Sequence, residues 1–323
     1  MPTRRALLLT AGLAPMLAAP SLAADWPTRP VRLIVPFAPG GSVDITARLL
    51  AQALRVPLGQ EVVVENRTGG GGTLGAAAVA TAPADGYTIL WANSAVMTAA
   101  PILMPNLSYR PLQDLRPVSL AMRTWHVVLG SPKRPYRHLT ELLAAARSKP
   151  GELNFGSGGT GSAVHIVAER ILADAGVSMV HIPYRGSAQA MTDLTTGRLD
   201  MLVETLASGM QQVRAGQAVA LAVSAPERIT SAPEVPTVAE SGLAGFTTSA
   251  WFGVVAPAAV PEAVVERLNG AIREALAREE LKHRLANLGT DVTVSSPNEF
   301  TAFIVQETEI TRQVVQRTGI RLD

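Results

Sequence analysis

The 323-residue sequence contains no cysteine. This absence excludes a disulfide framework, thiol catalysis and thiolate metal sites, and it excludes a lipid anchor attached to a cysteine. Aromatic residues make up 4% of the chain and charged residues 17%, a composition typical of a globular α/β protein. We therefore expect a core built largely of alanine and valine.

The chain also lacks an excess of either charge, since its formal net charge is only +2. Arg4 and Arg5 account for that excess, and no acidic residue precedes Asp25. The rest of the chain is electrically balanced, so no net field steers it toward DNA or an anionic membrane. We predict no nucleic-acid partner.

The first 24 residues have the layout of a secretory signal peptide, with a basic start, the apolar run Ala6–Ala19 and small residues after it. The apolar run is too short to be a membrane span. We predict a signal peptide over residues 1–23, cleaved after Ala23 or Ala24 and exported by the Sec route. The pair Arg4-Arg5 keeps the twin-arginine route as an alternative. The mature chain is expected in the periplasm.

Strand and helix patterns alternate along the first hundred residues. Strands are predicted at Val31–Val35, Glu61–Glu65 and Tyr87–Ala92, with helices starting at Ser42 and Thr73 between them. This βαβαβ order predicts an α/β fold with a parallel sheet and right-handed crossovers.

The turn after the first strand carries the clearest candidate site. Phe37–Gly41 is rich in proline and glycine, and Ser42 is expected to cap the helix that follows. Such a turn directs unpaired N–H groups and the positive end of a helix dipole at one point, where an anion can bind. Asp44 is expected to interact with that dipole and to order the turn. Asn93 and Ser94 end the third strand, at the edge where open α/β sheets bind ligands.

A second strand-turn-helix unit comprises strand Leu153–Phe155, turn Gly156–Gly161 and helix Ser162–Asp174. Two separate strands, Leu115–Leu120 and His126–Gly130, are predicted between the units, and the second of them leaves the first domain.

The chain is predicted to return to the first domain through strand Ser249–Val255. Amphipathic helices at Pro261–Ala277 and Phe300–Thr318 are expected to cover that domain.

Two glycine segments, Gly70–Gly75 and Gly156–Gly161, match the G-x-G-x-x-G pattern of dinucleotide sites. Neither is followed by an acidic residue suited to a ribose, although Arg185 could meet a 2′-phosphate. We weigh nucleotide binding against plain turn chemistry and against two anion-binding helix N-termini that face each other across a cleft. We favour the facing N-termini and predict no cofactor.

The histidines show no spacing typical of a metal or catalytic site. His165 and Glu169 are four residues apart on a helix, which permits a metal pair, but we interpret them as a surface hydrogen bond. No G-x-S-x-G motif is present. We therefore predict neither a metal site nor an enzyme active site.

Ordered blocks along nearly the whole mature chain resemble the substrate-binding receptors of tripartite tricarboxylate transporters, the Bug-type periplasmic proteins. The matching blocks are Pro30–Arg48, Val64–Arg67, Ala84–Thr88, Asp114–Val118, Leu153–Glu169, Val180–Gly186, Arg228–Gly242 and Trp251–Gly253.

This resemblance implies a type II periplasmic-binding-protein fold, with two Rossmann-like lobes that close on a small carboxylate. We assign residues 24–124 plus 246–323 to lobe 1 and residues 125–245 to lobe 2. The resemblance also implies a monomer that docks on membrane permease subunits. A co-receptor for a sensor kinase and an exported carboxylate-acting enzyme are the alternatives.

The resemblance also implies which residues bind the ligand, mainly through backbone groups and bridging waters. In lobe 1 these are Phe37, Ala38, Pro39, Gly40, Gly41, Ser42 and Asp44. In lobe 2 these are Ser157, Gly158, Gly159, Thr160, Gly161, Ser162, His165, Tyr184, Arg185 and Gly186. The chain departs from the family at Glu204-Thr205, where Asp-Asn is frequent, and at Ala100-Pro101, where Asn-Pro is frequent. Glu204 is a further candidate contact with a longer reach than aspartate.

Overall fold

The computed structural model describes residues 26–184, 186–230 and 232–321, without the side chain of Ser42. The strands are β1 (Val31–Val35), β2 (Val62–Asn66), β3 (Thr88–Asn93), β4 (Leu115–Gly130), β5 (Asn154–Ser157), β6 (Val180–Pro183), β7 (Met201–Thr205), β8 (Val219–Val223), β9 (Ser249–Pro257) and β10 (Thr290–Val292).

The helices are α1 (Ser42–Leu58), α2 (Thr73–Ala80), α3 (Ala100–Leu103), α4 (Pro111–Asp114), α5 (Leu139–Ser148), α6 (Ala163–Ala175), α7 (Ser187–Thr196), α8 (Leu206–Arg214), α9 (Glu262–Leu276), α10 (Glu279–Ala286) and α11 (Pro297–Thr318). A 3-10 turn at Gly70–Gly72 precedes α2, and a π-helical turn at Ala95–Ala99 precedes α3.

One mixed sheet runs in the order β2-β1-β3-β9-β4-β7-β5-β6, and β8 and β10 also pair with β4. The parallel pairing predicted from the βαβ order is confirmed for β1 with β2 and β3. Strand β5 is also parallel to β6 and β7. By contrast, β9 runs antiparallel to β3, and β4 runs antiparallel to each of its partners. The fold therefore consists of two Rossmann-like lobes joined through antiparallel strands.

Strand β4 connects the two lobes. The prediction of separate strands at Leu115–Leu120 and His126–Gly130 is wrong, because residues 115–130 form one continuous strand. Its first half pairs with β9 and β10 in the first lobe, and its second half pairs with β7 and β8 in the second lobe. Thr124 lies within the strand because it is paired with Ala250 of β9 and Thr290 of β10, and its Oγ1 also donates to Gly289 O at 2.9 Å. The exact lobe boundaries at 124/125 and 245/246 remain a prediction.

Each lobe buries apolar side chains on both faces of its sheet. In the first lobe, Leu33 packs with residues of α1 and α9 on one face, while Trp251 meets Phe300 of α11 on the other. In the second lobe, Phe155 packs toward α5 and α6, and Leu202 packs toward α7 and α8. This packing fixes the strand ends, and therefore the loops that follow them.

Several element boundaries differ from the predictions for local reasons. Ser42 is not the cap of α1, because Gly41 occupies the N-cap position with extended backbone angles and Ser42 is the first helical residue. Helix α11 starts earlier than predicted, where the Ser296 and Glu299 side chains form a capping box. Strand β10 was not expected from the sequence.

Within the described ranges, no helix is both long and apolar enough to cross a bilayer. The signal peptide predicted over residues 1–23 lies outside the described residues.

Candidate functional site

A cleft of about 560 Å³ opens between the lobes, beyond the carboxyl ends of β1, β3 and β5. The first lobe lines it with Phe37, Val43, Gly70, Gly71, Thr73, Asn93, Ser94, Ala95, Ala99, Ala100, Leu103 and Met104. The second lobe contributes Gly158, Gly159, Thr160, Gly161, Ser162, Ala163 and Val164. His126, Thr205, Ala250, Trp251 and Phe252 come from the strands that join the lobes and form the floor.

Asp44 organises the loop between β1 and α1. It is only 3% exposed, and its Oδ2 accepts hydrogen bonds from Gly40 N at 3.0 Å and from Arg48 Nε at 2.9 Å. Asn66 Nδ2 donates to Asp44 Oδ1 and to Phe37 O, both at 2.9 Å. The Arg48 hydrogen bond is the main cause that lowers the pKa of Asp44 to about 2, against the opposing effect of burial. The charged carboxylate of Asp44 therefore holds the loop in place through these hydrogen bonds.

Helix α1 turns its N-terminus toward the cleft, since Val43 in its first turn lines the wall. The first N–H groups of a helix have no acceptor within the helix, and they carry the positive end of its dipole. The loop ordered by Asp44 therefore presents hydrogen-bond donors to the cleft.

A glycine turn forms the wall beside this loop. Residues 69–72 are all glycines with φ between 56° and 125°, a region that other residues rarely adopt. A Cβ atom on Gly72 would lie 2.9 Å from Val96 Cγ1 and 3.2 Å from Phe37 Cζ. Glycine therefore allows this wall to approach Phe37 closely. Gly70, Gly71 and Thr73 were missed as cleft residues, although the run of four glycines was a signal for such a wall.

The loop from Ser157 to Ser162 faces the first loop from the second lobe. Ser162 is the N-cap of α6, and its side chain accepts a hydrogen bond from His165 N at 3.4 Å. Ser157 Oγ lies 2.7 Å from His181 Nε2 and accepts a hydrogen bond from Gly159 N at 3.1 Å. The N-terminus of α6 therefore opens onto the cleft opposite the N-terminus of α1.

Two stacked histidines support this loop from behind. The rings of His165 and His181 lie 3.8 Å apart with nearly parallel planes. His165 Nδ1 accepts a hydrogen bond from Gly161 N at 3.0 Å, and its Nε2 lies 3.5 Å from Glu169 Oε1. The prediction of a surface pair is wrong, because His165 is 3% exposed and packs under the loop. Burial, followed by the charge of His165, lowers the pKa of His181 to about 4.

The turn after β6 packs against the second loop. Tyr184 N donates to Ser157 O at 3.1 Å, and Tyr184 Oη donates to Asp193 Oδ2 at 2.7 Å. Burial, followed by Asp193, raises the pKa of Tyr184 to about 12. Gly186 is the N-cap of α7 and lies outside the cleft lining. Arg185 lies outside the described residues.

Glu204 lies in a different pocket from its neighbour Thr205. Successive side chains of a strand point to opposite faces, so Thr205 reaches the cleft floor while Glu204 borders a pocket of about 450 Å³ with Ser187 and Ser208. Burial raises the pKa of Glu204, and the Ser187 hydroxyl is the first of the groups that oppose this shift. Its carboxyl therefore faces helices α7 and α8.

The cleft lining contains no lysine, arginine, aspartate or glutamate among the described residues. Its side-chain polar groups are hydroxyls, the Asn93 amide, the His126 imidazole and the indole N–H of Trp251, which has no hydrogen-bond partner in the described part of the chain. No group of three or more metal-ligating side chains exists in the described part of the chain. The arrangement is suited to binding an anion through dipoles and neutral donors.

A protein-family model described as "Tripartite tricarboxylate transporter family receptor" matches residues 46–320. The chain belongs to this family. Protein BugT of Bordetella pertussis is 38% identical to it over 316 residues, which are 98% of this chain and 96% of BugT.

Solved structures of similar proteins support the same conclusion. R. palustris Rpa4515 with adipate matches with a TM-score of 0.81 at 32% identity, covering 92% of this chain and 99% of that one. MatC from Rhodopseudomonas palustris with bound malate matches with a TM-score of 0.77 at 33% identity, covering 90% and 100% of the two chains. The predicted type II periplasmic-binding-protein fold is thereby confirmed, and the family and fold are those of periplasmic solute-binding receptors.

Part of the predicted site lines the cleft of this family member. These residues are Phe37, Asn93, Ser94, Gly158, Gly159, Thr160, Gly161 and Ser162. Ala38, Pro39, Gly40 and Gly41 lie in the adjoining loop, and Asp44, Ser157 and His165 hold the two loops. Tyr184, Gly186 and Glu204 do not line the cleft. A ligand-binding role for any of these residues remains a prediction.

The floor of the cleft was missed. His126 and Thr205 belong to strands in which apolar residues predominate. Trp251 and Phe252 lie in the apolar strand β9, where aromatic side chains are expected in the hydrophobic core. These floor residues meet only because β4 pairs with both β7 and β9. No local sequence signal could have found them.

Proposed function

We propose that this chain is a receptor that binds a small carboxylate in the cleft and delivers it to the membrane permease subunits of a tripartite-type transporter. The observation that carries the proposal is that α1 and α6 direct their N-termini into the cleft from opposite walls, while the described cleft lining has no charged side chain. Backbone donors at the positive ends of two helix dipoles favour an anion.

Hydroxyl groups on both walls add further neutral donors. Thr160 and Ser162 lie on the second lobe, and Ser94 lies on the first. Apolar side chains such as Leu103 and Phe252 occupy the space between them. A carboxylate carried on a short carbon chain satisfies both kinds of surface.

The ligands of two structural neighbours support this class of ligand, since one neighbour contains adipate and the other malate. Contacts from both lobes would be complete only when the lobes close, so ligand binding would favour the closed form. We include in the proposal a cleaved signal peptide over residues 1–23 and a monomeric mature protein.

A thermal-shift screen of the mature protein against mono-, di- and tricarboxylates tests the binding step. A ligand at one hundred times its Kd stabilises the native state by about 2.7 kcal/mol, which gives a clear rise in Tm. Gly41→Leu should abolish that rise, because the new side chain would cover the N-terminus of α1. The space exists, since a Cβ at Gly41 would meet only Ala38 O at 4.0 Å.

Gly270→Leu is the matched control. Gly270 is an exposed position of α9, and no atom lies within 4 Å of a Cβ placed there. This variant should keep the ligand-induced rise in Tm. A rise produced only by nucleotides or metal ions, or one that survives in Gly41→Leu, would contradict the proposed site.

Delivery to a permease is tested separately in the source organism. Deleting the gene should abolish uptake of the acid identified in the screen. Unchanged uptake together with a lost transcriptional response to that acid would favour the sensing co-receptor instead.

A further inference from the structure

His126 has a fixed backbone at the floor of the cleft. His126 N donates to Ser224 Oγ at 2.9 Å, and Ser224 N donates to His126 O at 2.9 Å. Ser224 Oγ in turn donates to Thr248 O at 2.6 Å. On the other edge of β4, His126 is paired with Thr205, which lines the same floor. Pairing with Thr205 and the hydrogen bonds through Ser224 to Thr248 therefore fix the main chain at His126.

The imidazole has no hydrogen-bond partner at normal geometry among the described residues, and it interacts only weakly with the main chain of Thr248. The residue is 1% exposed, and neither ring nitrogen has a partner at hydrogen-bond geometry within the described part of the chain. Buried polar side chains in native proteins are almost always hydrogen-bonded, so the ring lacks a hydrogen bond of the usual strength.

The ring borders two neighbouring spaces. One is the cleft, and the other is a smaller cavity of about 50 Å³ that shares Ser94, Ala95, Ala99 and Ala163 with it. Among the described residues, His126 is the one titratable side chain that lines the cleft. A molecule bound in the cleft can therefore complete the hydrogen bonding of this ring.

Two charged side chains, Arg170 of α6 and Glu307 of α11, line the smaller cavity together with His126. Arg170 donates from Nη1 to Thr247 O at 3.0 Å. Burial lowers the pKa of His126 to about 4, against a smaller effect of the Thr248 main chain, so the ring is neutral at pH 7. A neutral imidazole offers one N–H donor and one acceptor nitrogen.

We propose that His126 donates a hydrogen bond to a second oxygen-bearing group of the ligand, either a hydroxyl or a second carboxylate, while the first carboxylate lies at the N-termini of α1 and α6. The proposal rests on the proposed function and adds the residue that determines ligand specificity. A ligand without the second group would leave the buried ring without a strong hydrogen bond, and sites of this kind discriminate strongly against such analogues.

Isothermal titration calorimetry with matched acids tests this role. Butyrate, succinate and malate differ by a second carboxylate and then by a hydroxyl, and hexanoate and adipate repeat the first comparison on a longer chain. The wild-type protein should prefer the oxygen-richer member of at least one pair by about tenfold or more. His126→Leu should reduce that preference to within about threefold, and His126→Gln, which retains a donor, should keep part of it.

Thermal unfolding of the ligand-free variants distinguishes this role from a structural one. His126→Leu removes two buried polar atoms that lack a normal hydrogen bond, so its Tm should equal or exceed that of the wild type. A wild-type protein that binds both members of every pair equally well would overturn the inference, as would a preference that survives in His126→Leu. If no carboxylate binds the wild type at all, the proposed function itself fails.

Discussion

Asp44 and Glu204 are buried carboxyl groups whose surroundings shift their pKa values in opposite directions. Asp44 accepts hydrogen bonds from Arg48, Gly40 and Asn66, which stabilise its charged form. Glu204 has no ion-pair partner in the described structure, and burial raises its pKa. A residue of the same chemistry can thus fix a loop in its charged form or tend toward neutrality, depending on its partners.

Replacing Asp44 tests its role in the first loop. The pKa of Asp44 is lowered from 3.8 to about 2 in the folded protein, so its charge stabilises the fold above pH 4, and this contribution is lost as the pH falls toward 2. Asp44→Asn should therefore lower the free energy of unfolding by about 2 kcal/mol at pH 7, and by progressively less below pH 4. Urea denaturation at pH 7, 5 and 3.5 measures this difference.

Glu61→Gln is the control for Asp44→Asn. Glu61 pairs with Arg55 at 2.8 Å, but both side chains are more than half exposed. Exposed pairs of this kind contribute about 0.5 kcal/mol, so the control should differ little from the wild type at any pH. Equal losses in the two variants would contradict a special role for the Asp44 network.

Glycines in the secondary-structure elements have different roles according to what packs over them. Gly253 of β9 lies beneath α11, and a Cβ atom there would fall 2.7 Å from Ser119 O and against the Phe300 ring. Gly270 of α9 is exposed, with no atom within 4 Å of such a Cβ. The sequence alone does not distinguish these two positions.

The paired substitutions Gly253→Ala and Gly270→Ala should change stability in opposite directions. Gly253→Ala should destabilise by about 2 kcal/mol, because the backbone of β4 cannot move away from the new methyl group. Gly270→Ala should stabilise by up to about 1 kcal/mol, since alanine is the better helix former. Urea denaturation measures both changes, and a destabilised Gly270→Ala would contradict the open surface at that position.

Elements with a complete local signal could be predicted from the sequence. The βαβ order, the strand-turn-helix units at β1–α1 and β5–α6, and the loops that face each other across the cleft follow from glycine, proline and apolar spacing. Strand β4 could not be predicted as one element, because Arg123 and Thr124 interrupt its apolar pattern. Arg123 is paired with Trp251 of β9 and Asp291 of β10, and its guanidinium lies 4.6 Å from the centre of the Phe303 ring. These contacts link residues that are distant in the sequence, so no local pattern shows them.

The candidate site shows the same limit at its floor and behind its loops. His126 joins the cleft through antiparallel pairing between distant strands, and His165 becomes buried because His181 of a neighbouring strand stacks on it. Helical spacing indicated that His165 and Glu169 were close together. It could not show that β6, which carries His181, would pack against this side of the helix.

At the scale of the whole molecule, β4 belongs to both lobes. Loss of either lobe would remove half of the hydrogen-bonding partners of this strand, so the lobes should unfold together. Differential scanning calorimetry of the mature protein should show one transition, with a calorimetric enthalpy equal to the van't Hoff enthalpy. Two resolved transitions would show that each lobe is stable when the other has unfolded.

The scarcity of charge in the cleft also governs how fast a ligand arrives. Electrostatic steering raises association rates when a binding site carries charge opposite to that of its ligand, and salt then slows the association. Here the described cleft lining has no charged side chain, and the chain beyond Arg5 is electrically balanced. Attraction of an anion would therefore come from the helix N-termini at short range, and the rate of capture should depend only weakly on the salt concentration.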